Sequence, residues 1–289
     1  MKLRKRFEPI FSFLILFFGS CNKQNFTEFN QLGELRVLTI QALSDQSEVN
    51  PGTSVTLKPV VSDLNGGGRT LDVTIQTCID PGVDLGKKPQ CTVPDSTISS
   101  SFSTTTLGAN NTYTGDAPSF TVNIPSAPLN YIIAPLYVQY NGVSYLVIYT
   151  LKASDGTSVT AFKRIRISSP SKVTKNRNPA FSSISSNGNI LNTNNIYNQN
   201  ILELAPTFSV GPEGRQIMNA DGSLRTDTDS ILTTWFISDG KIKYQRTVNT
   251  DLNQWDLSDS KKPQNRGVVL VVVAHDGYEG QICSIFNFN

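Results

Sequence analysis

YLVIYTLKASDG, residues 145–156, and RGVVLVVVAHDG, residues 266–277, are two versions of one phrase set 121 positions apart. Each is a near-continuous apolar run that ends in Ala-x-Asp-Gly. A run that is apolar without alternation has to bury both of its faces, which places it inside a sheet rather than at an edge. Asp-Gly between two strand patterns marks a hairpin, because tight hairpin turns need positive φ and glycine adopts it without a Cβ clash. Strand-like sequence follows in both cases, SVTAFKRIRIS after the first phrase and GQICSIFNFN after the second. The two halves of the chain are therefore expected to end in the same way.

Working outward, the shorter apolar patterns have period two. In LDVTIQT (71–77), Leu71, Val73 and Ile75 alternate with Asp72, Thr74 and Gln76; in SFTVNIP (119–125), Phe120, Val122 and Ile124 alternate with Thr121 and Asn123. Alternation of this kind belongs to half-buried strands. Pro51-Gly52 and the glycines at 66–68 punctuate the first half, and no stretch after residue 20 holds a capped 3.6-residue amphipathic pattern, so helix content is expected to be low. The segment SSPSKVTKNRNPA (168–180) is polar, basic and bounded by proline, which marks a linker, and the Asn-rich stretch 187–200 reads as loops. The expected architecture is all-β: two tandem antiparallel sandwiches over residues 35–169 and 180–289, joined by a linker at 170–179.

The amino terminus carries an address. KLRKR precedes the apolar stretch IFSFLILFF (10–18), then Gly19, Ser20 and Cys21. This nine-residue run is about half of the ~20 needed to cross a bilayer, so residues 1–20 read as a secretory signal and not as a span. Cys21 directly after Gly-Ser resembles the lipobox of bacterial lipoproteins, although Phe18 stands where that family prefers leucine. The resemblance implies that Cys21 is acylated and becomes the first residue, that 21–34 is a lipidated tether, and, from Asn22, that the membrane is the outer one. Several acyl chains at ~0.8 kcal/mol per buried CH₂ would make the attachment durable. The whole chain has formal charge +2, but the first twenty residues hold four basic residues and one acid, so their removal leaves −1. That balance offers no electrostatic footprint for nucleic acid.

With Cys21 acylated, three cysteines remain: Cys78, Cys91 and Cys283. Cys78 and Cys91 bracket a Pro- and Gly-rich loop, and an oxidising compartment favours their pairing. Neither spacing nor histidine supply suits zinc. Cys283 is expected as a packed thiol. TWFISDGKI (234–242) and VVVAHDGYEG (271–280) resemble the immunoglobulin-like and PKD-like sandwich modules of bacterial surface lipoproteins, in which a tryptophan fills the core between the sheets; here that role falls to Trp235.

Chemical sites are few. The one histidine, His275, stands beside Asp276, but no G-x-S-x-G nucleophile elbow accompanies it, and turn chemistry accounts for the pair. Asp221, Asp227 and Asp229 lie in NADGSLRTDTDS (219–230) without the spacing of a calcium loop, so a solvated loop is expected there and no metal. Trp255, in the polar stretch TDLNQWDLSD (250–259), is the candidate for a surface ligand site, with a glycan as its ligand, although a lone tryptophan in such a stretch more often seals the end of a sandwich. The tyrosines at 145 and 149 share a face with Val147 and read as core. The expectation is a non-enzymatic envelope protein without cofactor, anchored to a lipid bilayer through Cys21. It would engage another envelope or surface protein, or as the alternative a carbohydrate.

Overall fold

A computed structural model describes residues 29–45, 47–82, 88–104, 113–191, 200–258, 260 and 267–288. Residues 1–28, with the apolar leader and Cys21, lie outside this set.

The first half contains β1 (Arg36–Ala42), β2 (Glu48–Val49), β3 (Ser54–Asp63), β4 (Thr70–Ile79), β5 (Ser96–Ser103), β6 (Tyr113–Asp116) and β7 (Phe120–Asn123), then two short helices, α1 (Leu129–Ile132) and α2 (Leu136–Asn141), and finally β8 (Val143–Ala153) and β9 (Ser158–Ile167). One sheet runs β1-β3-β6, with β7 also on β3; the other runs β2-β9-β8-β4-β5. Pairing is antiparallel except between β2 and β9. The two sheets face each other across a core of Ile40, Leu57, Val61, Leu71, Val73, Ile75, Tyr145, Val147, Tyr149 and Leu151, among others.

The second half contains β10 (Ala180–Ser186), β11 (Asn189–Ile190), β12 (Ile201–Val210), β13 (Gly214–Met218), β14 (Leu224–Thr228), β15 (Leu232–Ile237), β16 (Lys241–Ile242), β17 (Arg246–Val248), β18 (Asn253–Asp256), β19 (Val268–His275) and β20 (Gln281–Phe288). Its sheets run β11-β10-β12-β18-β16 and β17-β15-β19-β20, and β13-β14 is a separate hairpin. Trp235, Trp255, Leu202, Leu204, Leu270, Val272 and Phe288 fill the space between the sheets. The chain is thus an all-β protein built on sandwich-like pairs of sheets.

The two apolar phrases form β8 and β19, each flanked on both sides by antiparallel neighbours. Each also buries a second face, as its composition demands. Leu146 and Ile148 turn away from the core and are covered by the Cys78–Cys91 bridge, whose Cα atoms are 5.8 Å apart. Val269, Val271 and Val273 turn away from the second core and are covered by Leu32, Leu38 and Leu64 from the first half. One doubly apolar strand therefore lies under a disulfide-closed loop, and the other lies under the neighbouring sandwich.

The hairpin reading holds after the first phrase, where Gly156 has φ +89° and the Ala153 and Thr157 main chains close the turn. After the second phrase the residue with positive φ is Glu279, at +70°, and not Gly277. The Asp276 carboxylate accepts hydrogen bonds from the main-chain N–H of Tyr278 and Gly280 at 2.7 and 2.8 Å, holding a wider loop.

The residues that open the described chain pack on the second sandwich. Gln31 bridges Ile237, Leu32 N–H donates to Ile237 O at 2.7 Å, and Ile237 N–H donates to Asn30 O at 2.9 Å. Phe29 rests against Phe236 with ring centroids 5.7 Å apart.

Candidate functional site

The densest polar constellation lies where the two sandwiches meet, and it is organised by the segment 170–179. Lys172 and Glu48 are both fully buried, and the Lys172 ammonium donates to Glu48 Oε1 at 2.6 Å. The other oxygen, Oε2, accepts the Asn176 main-chain N–H at 2.8 Å. The Asn176 carboxamide then donates to Ser47 Oγ in the first half and to Asp276 Oδ2 in the second, at 2.8 and 2.7 Å. Asn178 adds a main-chain bond to Asp45 O and a side-chain bond to Ser44 O, and its Oδ1 accepts from Gln281 N–H. A buried ion pair is costly to desolvate; here Glu48 Oε2 is satisfied by the Asn176 N–H, and the Lys172 ammonium lies 5.7 and 5.8 Å from the ring centroids of Tyr140 and Tyr278.

Tyr278, on the loop between β19 and β20, lies between two guanidinium groups. Arg166 of β9 is 4.3 Å from the ring centroid and Arg215 of β13 is 3.3 Å from it. Cations over an aromatic face gain ~0.5–1 kcal/mol when exposed and ~2 or more when desolvated, and Tyr278 is buried. Arg215 also pairs with Asp229 at 2.8 Å and with Asp227 at 3.2 Å. Two of the three aspartates weighed for calcium are therefore paired with one arginine. The third, Asp221, accepts from Ser223 N–H and Oγ–H in the turn of the β13–β14 hairpin.

Lys163 of β9 reaches across the same boundary and donates to Glu279 O at 2.6 Å. Burial pushes its ammonium down to about 8, against the opposing pull of Glu279 and Asp276. Further along, Tyr140 Oη donates to Gln216 Oε1 at 3.0 Å, and Asn141 exchanges two bonds of 2.8 Å with the Met218 main chain. Every one of these links joins residues far apart in the chain, which is why no local pattern announces them.

The sequence-derived candidates fall as follows. Cys78 and Cys91 are bridged. Cys283 packs under the first sandwich, and burial holds its thiol pKa well above the usual range. Trp235 is fully buried between the sheets, donating to Thr247 Oγ1 at 2.9 Å. Trp255 corrects the expectation of a surface ligand site: it is fully buried, its indole N–H donates to Asp239 O at 2.9 Å, and its ring meets Phe288 edge-on at 5.7 Å. The pattern NQWDL places Asn253, Trp255 and Leu257 on one inward face, and the polar residues between them point out. No glycan can stack on that ring without unfolding the sandwich end. His275 ends β19, paired with Leu232 and Gln281, while the Asp276 carboxylate is engaged by Tyr278, Gly280 and Asn176. The aspartate is thus occupied as a loop clamp and does not orient the imidazole.

A shallow cleft of about 200 Å³ opens between the sandwiches, lined by Phe29, Thr39, Phe162, Arg246 and His275 among others. Its floor is closed by the Thr39 hydroxyl donating to Gln281 Oε1 at 2.8 Å.

No family model matches the sequence, and no curated protein matches it. Among solved structures the chain is similar to a red sea bream transglutaminase (9% identity, TM-score 0.30, covering 90% of this chain and 32% of that one). It is also similar to the sporulation control protein Spo0M from Bacillus subtilis (11%, TM-score 0.30, covering 89% and 91%). A third is a DUF4466 family protein from Parabacteroides merdae (8%, TM-score 0.30, covering 89% and 99%). Likenesses this weak bring no activity or partner to the chain.

Proposed function

We propose that the protein is a lipid-anchored envelope lipoprotein that works by presenting a stiff, non-catalytic arm of two immunoglobulin-like sandwiches to another envelope or surface protein. The observation that supports this reading is the junction. Lys172, Glu48, Asn176 and Asp276 bind the connecting segment to both halves, so the chain is suited to transmit position rather than to flex between independent modules. Acylation of Cys21 would supply the address and raise the effective concentration of the encounter at the membrane. The burial of Trp255 removes that one ring as a stacking surface for the carbohydrate alternative.

The test is incorporation of radiolabelled palmitate in the native host, with Cys21→Ser as control, followed by protease treatment of intact cells. Label on the parent chain and none on the serine variant is the expected result. Equal labelling of both, or none on either, would remove the anchor. Digestion in intact cells identifies a surface face, and protection identifies a periplasmic one.

A further inference from the structure

Between β7 and β8 the chain leaves the sandwich and makes α1 and α2, one turn and a turn and a half long, each preceded by a proline. Their tip is apolar and faces solvent: Leu129 is 60% exposed, Ile132 54%, Ile133 72% and Leu136 78%. Val173, on the segment whose Ser169 N–H donates to Gln139 O of α2, is 92% exposed. The base, by contrast, is fixed. Tyr140 is buried and bonds Gln216, and Asn141 bonds Met218 on both sides of its carboxamide. A tip of large aliphatic side chains on a held base is not ordinary loop chemistry, because loops shed exposed apolar surface unless it serves a contact.

The composition around the tip selects the partner. From Ala117 to Leu151 there is no Asp, Glu, Lys, Arg or His in 35 residues, so nothing on this knob has to lose a charge on entering hydrocarbon. Tyr131 and Tyr137 stand half-buried beside the tip, the residue type that settles at the headgroup level of a bilayer. Each helix is too short to lay the i, i+3, i+4, i+7 stripe by which an amphipathic helix fills a groove on another protein. Reach also permits a bilayer. Cys21 and Phe29 are eight Cα steps apart, a reach of at most ~29 Å. Phe29 shares its cleft with Phe162 of β9, and five residues on, roughly 17 Å along the strand, β9 ends at Ile167 beside the knob.

We propose that the tip formed by Leu129, Ile132, Ile133 and Leu136 is a second membrane contact, dipping into the outer hydrocarbon of the bilayer that holds the acylated Cys21. The proposal rests on the lipoprotein reading for its compartment only. Two attachments, one through the acylated terminus and one on the folded body, would fix the tilt of the arm over the membrane.

The experiment uses the full chain with Leu136→Cys carrying the environment-sensitive fluorophore NBD, on vesicles of phosphatidylethanolamine and phosphatidylglycerol. Leu252→Cys, 61% exposed in the second half, carries the label as control. The expected result is a blue shift at position 136, quenching by brominated lipids, no change at 252, and at least a tenfold weaker response when Ile132→Asp and Ile133→Asp are added. The response is expected in both the acylated chain and the Cys21→Ser chain. An acylated chain that floats with the vesicles while the label at 136 keeps its aqueous emission would overturn the proposal. So would a shift at 136 produced by a lipid-free protein extract and not by vesicles. Failure of the anchor itself is read separately, as missing palmitate, and leaves the fluorescence result to stand on its own.

Discussion

Glu48→Gln tests the junction with the least change of shape. The glutamine keeps the size of the side chain and an acceptor for the Asn176 N–H, but it leaves the Lys172 ammonium buried without its counter-charge. Removing one partner of a buried pair costs about 3–5 kcal/mol, against total stabilities of roughly 5–15 kcal/mol for a folded domain. Urea unfolding at pH 7 should therefore show a midpoint far below that of the parent, with one shared transition for tryptophan fluorescence and far-ultraviolet circular dichroism. The double change Glu48→Gln with Lys172→Met removes both charges while keeping an acceptor for the Asn176 N–H, and it should recover most of the loss. A cost under about 1 kcal/mol for Glu48→Gln, or a double variant as unstable as the single, would refute the idea that this pair is dry and clamps the segment.

Other outcomes follow from the same structure. Lys163 has a folded pKa of about 8 against an ordinary value of 10.5, so between those values the unfolded chain binds more protons and the lysine's contribution to stability rises with pH. The gain is on the order of 3 kcal/mol, measured as the difference between parent and Lys163→Met, because half-buried Cys283 and the tyrosines titrate in the opposite sense; a flat difference from pH 8 to 10.5 would contradict it. Trp255→Ala should cost about 3–5 kcal/mol in chemical denaturation, as expected for a buried aromatic and not for a surface one. Gly240→Ala should be destabilising, since φ is +78° and a Cβ would lie 2.5 Å from Asp256 O and 2.8 Å from the Trp255 indole nitrogen. Cys283 should resist thiol reagents in the native protein and react on unfolding, which a mass-based labelling time course will show.

Much of the architecture was legible in the residues because it depends on local pattern. β8 and β19 declared themselves by being apolar on both faces, and Trp235 by standing in a strand bounded by a turn. What covers the second faces was not legible, since the disulfide loop and the neighbouring sandwich arrive from elsewhere in the chain. NADGSLRTDTDS reads as a solvated loop, and what was not legible is that it closes the β13–β14 hairpin and hands Asp227 and Asp229 to Arg215. Trp255 stood between a ligand surface and a sandwich seal because its neighbours are polar, and alternation with Asn253 and Leu257 was the signal for the seal. The junction was invisible for a different reason: Glu48 and Lys172 are 124 positions apart, and each alone resembles an ordinary surface charge.

The stiffness of the arm can be measured as a distance. Spin labels at Ser100 on β5 and Thr207 on β12, both exposed and in opposite halves, report the separation of the two sandwiches by pulsed electron resonance. A single narrow distribution, unchanged by salt and broadened by Glu48→Gln, is the predicted result. A broad or split distribution in the parent protein would show two independently moving modules and contradict the account.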